Sequence, residues 1–205
     1  GPGTVVEIFS GYGQKGIAGI GAGGGSVSIL DKADVTALAA ERNPYYETGY
    51  SPVFTTADGG SIGDGIRAYG DILIDDASVY ALGCQANYSG GIFSENGNIT
   101  IESGTVQAIG GRAVNHTDPD AAGSAGISAG NGSVILNGGE VIAVVSLTEH
   151  GIADGIRAYG DININDGSVT AGGSAVSLDG VEPQYSGGIF SENGNITISG
   201  ENTVV

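Results

Sequence analysis

Positive charge is scarce in this chain. Six Lys and Arg residues stand against 23 Asp and Glu, for a formal net charge of -17. Phosphate recognition needs clustered basic side chains, so nucleic acid is excluded as a partner. The balance suits a solvated exterior, a divalent cation, or a partner that carries no negative charge of its own. Cys84 is the only cysteine, which excludes an intrachain disulfide. Methionine is missing even at position 1, which reads as a processed or recombinant chain with Gly1 as a cleavage scar. No apolar run reaches the length of a membrane span, so no span is expected in this chain. Helical periodicity is missing too.

Glycine is abundant, at 40 of 205 residues. It follows no Gly-X-Y period, which excludes collagen. It is interleaved with Ile, Val and Ala in short alternating runs, an apolar content that disordered chains lack. Glycine-rich corners between short strands remain.

Two strings are duplicated letter for letter. Tyr-Ser-Gly-Gly-Ile-Phe-Ser-Glu-Asn-Gly-Asn-Ile-Thr-Ile runs from Tyr88 to Ile101 and again from Tyr185 to Ile198. Asp-Gly-Ile-Arg-Ala-Tyr-Gly-Asp-Ile runs from Asp64 to Ile72 and from Asp154 to Ile162. Self-similarity at so short a spacing marks a stacked-repeat architecture. Aligning the copies gives one template: Gly-Ile-x-Ala/Ser, a Gly or Asn corner, Ile-x-Ile, a second corner, then Val-x-Ala. Copies begin at Gly65, Gly91, Gly126, Gly155 and Gly188, with a looser one at Gly19.

Each copy holds three runs of period-two alternation, which predicts three strands per turn. The aligned columns are chemically uniform. Ile20, Ile66, Ile92, Ile127, Ile156 and Ile189 share one inward slot. Val27, Ile72, Ile99, Val134, Ile162 and Ile196 share a second, and Ile29, Ile74, Ile101, Leu136, Ile164 and Ile198 a third. Val35, Val79, Val106, Val141, Val169 and Val204 form a fourth, while Ala22, Ala68, Ser94, Ala129, Ala158 and Ser191 supply a small residue where the coil bends. One turn cannot bury such residues; stacked about 4.8 Å apart, turns pack like upon like. The expectation is an all-β, single-stranded right-handed parallel β-helix, or solenoid, of about six to seven turns. It fills residues 1–205 as one domain, with 4–9 as an N-terminal capping strand and inserted loops at 38–64 and 109–125. A sandwich or up-and-down barrel needs hairpins and antiparallel register, and would not align identical residues one turn apart. At the far end the chain stops at Val204-Val205, inside a strand position. End-to-end self-association is one reading of that edge.

Function should show in outward positions, since the core explains the inward ones. The third template slot reads Gly21, Arg67, Phe93, Ser128, Arg157, Phe190, and the fifth reads Gly23, Tyr69, Glu95, Gly130, Tyr159, Glu192. In-register stacking sets Arg67 against Phe93 and Tyr69 against Glu95, and the same quartet recurs at Arg157, Phe190, Tyr159 and Glu192. A guanidinium over a ring contributes about 0.5–1 kcal/mol when exposed, and an Arg–Glu rim pair little more. Such quartets serve either as cross-strand staples copied by duplication or as a platform for sugar rings, with C–H groups on the aromatics and hydroxyls on Arg and Glu.

The insert 38–64 carries Tyr45, Tyr46, Tyr50 and Phe54 with Glu41 and Glu47, an aromatic load the core does not need. It reads either as a lid on a sheet or as a binding loop on a rigid scaffold. In 109–125, Asp118 and Asp120 beside His116 offer oxygens for calcium, without the acid spacing of an EF-hand. For catalysis the chain is thin. His116 and His150 sit in no nucleophile motif, and with 23 acids a carboxylate pair at hydrolytic separation would arise by chance.

The run Gly16-Ile17-Ala18-Gly19-Ile20-Gly21-Ala22-Gly23-Gly24-Gly25, with the coil from Gly91 to Ala108, resembles the repeats of bacterial secreted carbohydrate-binding β-helix proteins, the pectate-lyase-like solenoids. The resemblance covers about Gly16 to Val204, mainly at core and corner letters. It implies a module, secreted or on the bacterial cell surface, that binds plant or host polysaccharide, sometimes with calcium and usually without cleaving it. Three readings follow: a non-catalytic polysaccharide-binding module, a structural stalk or adhesin segment without a ligand, and a polysaccharide lyase or glycoside hydrolase.

Overall fold

A computed structural model describes residues 4–9, 17–39, 62–113, 123–146, 148, 151–174 and 185–205. Among them are eighteen strands in three six-stranded sheets and no helix. The first sheet holds β1 (Val5–Phe9), β4 (Asp34–Leu38), β7 (Ala77–Leu82), β10 (Gly104–Gly110), β13 (Glu140–Val145) and β16 (Ser168–Gly172). The second holds β2 (Ile17–Ala22), β5 (Gly63–Ala68), β8 (Tyr88–Ser94), β11 (Gly123–Ala129), β14 (Ile152–Ala158) and β17 (Tyr185–Ser191). The third holds the three-residue strands β3 (Val27–Ile29), β6 (Ile72–Ile74), β9 (Ile99–Ile101), β12 (Val134–Leu136), β15 (Ile162–Ile164) and β18 (Ile196–Ile198). Every pairing joins strands three apart in sequence and runs parallel. This is a right-handed parallel β-helix with three strands per turn and six turns.

The residue columns are physical. Ile66, Ile92, Ile127 and Ile156 are paired rung to rung and fully buried. In the third sheet Ile72, Ile99, Val134 and Ile162 do the same. Each such side chain taken from water contributes about 1.5–3 kcal/mol. The first sheet contributes smaller residues, the valine column and the stack Ala37, Ala81, Ala108 and Ala143, so the interior volume is shared between large and small faces.

The glycine that opens each Gly-Ile copy has a steric reason. A Cβ on Gly126 would lie 2.6 Å from the Val144 backbone nitrogen, because β11 and β13 converge there. The ladder skips this residue, pairing Ala125 with Asp154 and Ile127 with Ile156 but leaving the glycine unpaired. A second corner turns through left-handed backbone at Gly104, Gly139 and Gly167, with φ of 104°, 89° and 97°. The corners are stitched by side chains: Asp71 accepts the Asn98 N–H, Asn98 that of Ser133, Ser133 that of Asp161, and Asp161 that of Asn195.

One sequence expectation needs correction. Val204 does not complete the valine column: it bridges Ser168, one slot short of Val169, and is 64% exposed. Val6 of β1 fills the sixth place instead, paired with Val35, so the 4–9 strand is a rung of the first sheet at its end. The strands flanking the two inserts end at Leu38 and Gly110 and resume at Gly63 and Gly123.

Candidate functional site

The skipped glycine changes which side chains share a face. With Gly65 and Ile66 both directed at the core, Asp64 and Arg67 emerge on the same outer side of the second sheet despite an odd spacing. Arg67 Nη1 donates to Asp64 Oδ2 at 2.8 Å, and its Nη2 donates to Glu95 Oε2 at 2.9 Å from the next rung. The guanidinium also lies 4.4 Å from the centroid of the Phe93 ring. Asp64 is only 2% exposed, and its second oxygen accepts the Gly90 N–H at 2.6 Å. Gly90 leaves room for that bond, since a Cβ there would lie 3.0 Å from Asp64 Oδ1.

The arrangement recurs three rungs later. Arg157 donates to Asp154 at 2.7 Å and to Glu192, and lies 4.7 Å from the Phe190 centroid. Burial pushes the Asp64 carboxyl up to about 6, against the pull of Arg67 and of the Gly90 N–H. Burial raises Asp154 as well, opposed by Arg157 and the Gly187 N–H and reinforced by the charge of Glu192.

Between the two quartets lies the rung of β11, where the same columns hold Ala125, Ser128 and Gly130. These small residues leave a groove of about 400 Å³ on the sheet. Asp64, Arg67 and Phe93 stand on one side of it and Arg157 and Glu192 on the other, with Tyr88 at its margin. The Phe93 ring leans over Gly130, where a Cβ would come within 3.3 Å of its Cζ. Four carboxylates, Asp64, Glu95, Asp154 and Glu192, face two guanidiniums, so the paired quartets carry a formal charge of 2 − 4 = −2.

Arg67, Phe93 and Glu95, and their copies Arg157, Phe190 and Glu192, are thus brought together as the columns imply. Tyr69 and Tyr159 are not part of the groove: they sit just past the strand ends, 48% and 45% exposed. Glu95 turns to Arg67 for its hydrogen bond. Tyr45, Tyr46, Tyr50, Asp118 and Asp120 lie outside the described residues, as do Phe54, His116 and His150. Among the described residues no three or more His, Cys, Asp or Glu side chains cluster in a way that would hold a metal. The sequence reading missed Asp64 and Asp154, although both begin the duplicated nine-residue string. It also missed Tyr88 and Tyr185, which begin the longer one and are 51% and 64% exposed on the same sheet.

The fold class and this doubled charged–aromatic face are what define the protein. Comparison with family models, curated proteins and solved structures yields no match. The parallel β-helix therefore rests on the coil geometry itself.

Proposed function

We propose that the chain is a non-catalytic module that binds polysaccharide along the outer face of the second sheet. The observation carrying this is the doubled quartet: two copies of Asp, Arg, Phe and Glu flank one rung of small residues, leaving an open groove between them. Staples alone do not require the intervening rung to be stripped to Ala125, Ser128 and Gly130. The quartets recur three rungs apart, about 14 Å along the axis, a period that a linear polymer reads repeatedly and a small ligand does not. Tyr88 and Tyr185, both exposed, add ring faces for sugar C–H groups and hydroxyls that can donate to or accept from sugar hydroxyls. Export to the medium or to a bacterial surface is where such a module would work.

The test is retention on insoluble polysaccharides, comparing the chain with Tyr88→Ala plus Tyr185→Ala and with Phe93→Ala plus Phe190→Ala. Loss of retention in folded variants supports the reading; unchanged retention removes this face from it. A second reading, a stalk or adhesin segment without a ligand, draws on the internal satisfaction of each quartet, whose guanidinium is used on two edges and a face. That reading predicts no retention by the unaltered chain. A lyase or hydrolase would release reducing sugar from pectin or xylan, and the binding reading predicts none.

A further inference from the structure

Resting on the polysaccharide reading of this face, we infer that the groove selects uncharged glycans and rejects polyuronates. Binding an anionic sugar requires cationic donors that are free to turn toward it. Both arginines here are committed. Arg67 spends one nitrogen on Asp64 and the other on Glu95, and its face covers Phe93. Arg157 repeats all three contacts. An incoming carboxylate that captured either guanidinium would leave Asp64 or Asp154, each 2% exposed, as a buried charge without its cationic partner. It would also enter a groove that already carries two negative charges in excess.

A hydroxyl-bearing neutral chain meets no such barrier. Glu192 in the groove and Glu95 beside it each keep one carboxylate oxygen clear of arginine, with side chains 38% and 45% exposed. These are acceptors for sugar hydroxyls, which donate readily to carboxylates.

The experiment measures retardation of the intact chain in native gels that contain a neutral β-glucan, a galactomannan, polygalacturonate, alginate or chitosan. Retardation by a neutral polymer, little changed by raising salt from about 0.05 to 0.5 M, with no retardation by the uronates, is the expected result. The paired variant Glu95→Gln plus Glu192→Gln brings the quartets from −2 to 0 and loosens the guanidiniums, and should become retarded by polygalacturonate where the unaltered chain is not. Tighter binding of unaltered chain to polygalacturonate, alginate or chitosan than to either neutral polymer would overturn the inference while sparing the polysaccharide reading. A folded variant that still rejects polygalacturonate overturns the charge argument. No retardation by any of the five polymers overturns the polysaccharide reading and the inference with it.

Discussion

The coil segments Tyr88–Ile101 and Tyr185–Ile198 are identical in sequence and opposite in environment. In the first, Ile92, Ile99 and Ile101 are fully buried. In the second, Ile196 is 46% exposed and Ile198 52%, and Ile189 is only partly covered. Both segments adopt the same strands and the same corner. The difference is that β8 and β9 have a rung on either side, whereas β17 and β18 are paired on one side alone among the described residues. In a solenoid, local sequence sets the conformation of a coil, and its neighbours set its burial.

That contrast can be broken by paired substitutions, and the largest effect belongs to the isoleucine column. Ile99→Ala empties a site enclosed on all sides and should cost about 4 kcal/mol, whereas Ile196→Ala should cost less than about 1 kcal/mol. Urea denaturation followed by circular dichroism measures both, and equal losses would mean that the last coil is covered in solution.

The opening glycines come next. A Cβ on Gly91 would stand 2.5 Å from the Ile109 nitrogen, while on Gly188 its nearest neighbour is the Ala171 carbonyl at 3.0 Å. Gly91→Ala should destabilise by about 2–3 kcal/mol and Gly188→Ala by clearly less, read from the same unfolding curves.

A third effect is on pH dependence. Asp64 binds its proton at about 6 in the folded chain and near 3.8 when unfolded. Its protonation therefore favours the fold, a contribution fully present below about pH 4 and lost as pH rises through 6. Asp64→Asn should flatten the stability profile over that window. Asp154, tied to the outer coil through Gly187, should change it in the same direction. Thermal unfolding from pH 4 to 7 checks both, and an unaltered slope in Asp64→Asn would show that the carboxyl is not desolvated.

Much of this molecule was legible in the sequence because stacking turns template alignment into contact. The isoleucine columns and the Arg67–Phe93 and Arg157–Phe190 stacks followed from counting slots. Counting failed where a slot has no side chain to mark it. Asp64 lies ahead of the glycine that opens each copy, and the ladder's skip at that glycine carries it onto the outer face beside Arg67. Ser128 and Gly130 were assigned to the correct columns, but a row of small residues reads as filler until the rungs above and below are seen to stand higher. Val204 followed the letter pattern but ends the chain in an isolated bridge to Ser168 rather than in a paired strand, which the letters do not mark.

The most direct test of the account is a crystal structure of the chain soaked with a neutral oligosaccharide. It should show sugar rings over Ser128 and Gly130, between Phe93 and Arg157, with hydroxyls directed at Glu95 or Glu192. Density on the first or third sheet, or none on the second, would contradict it.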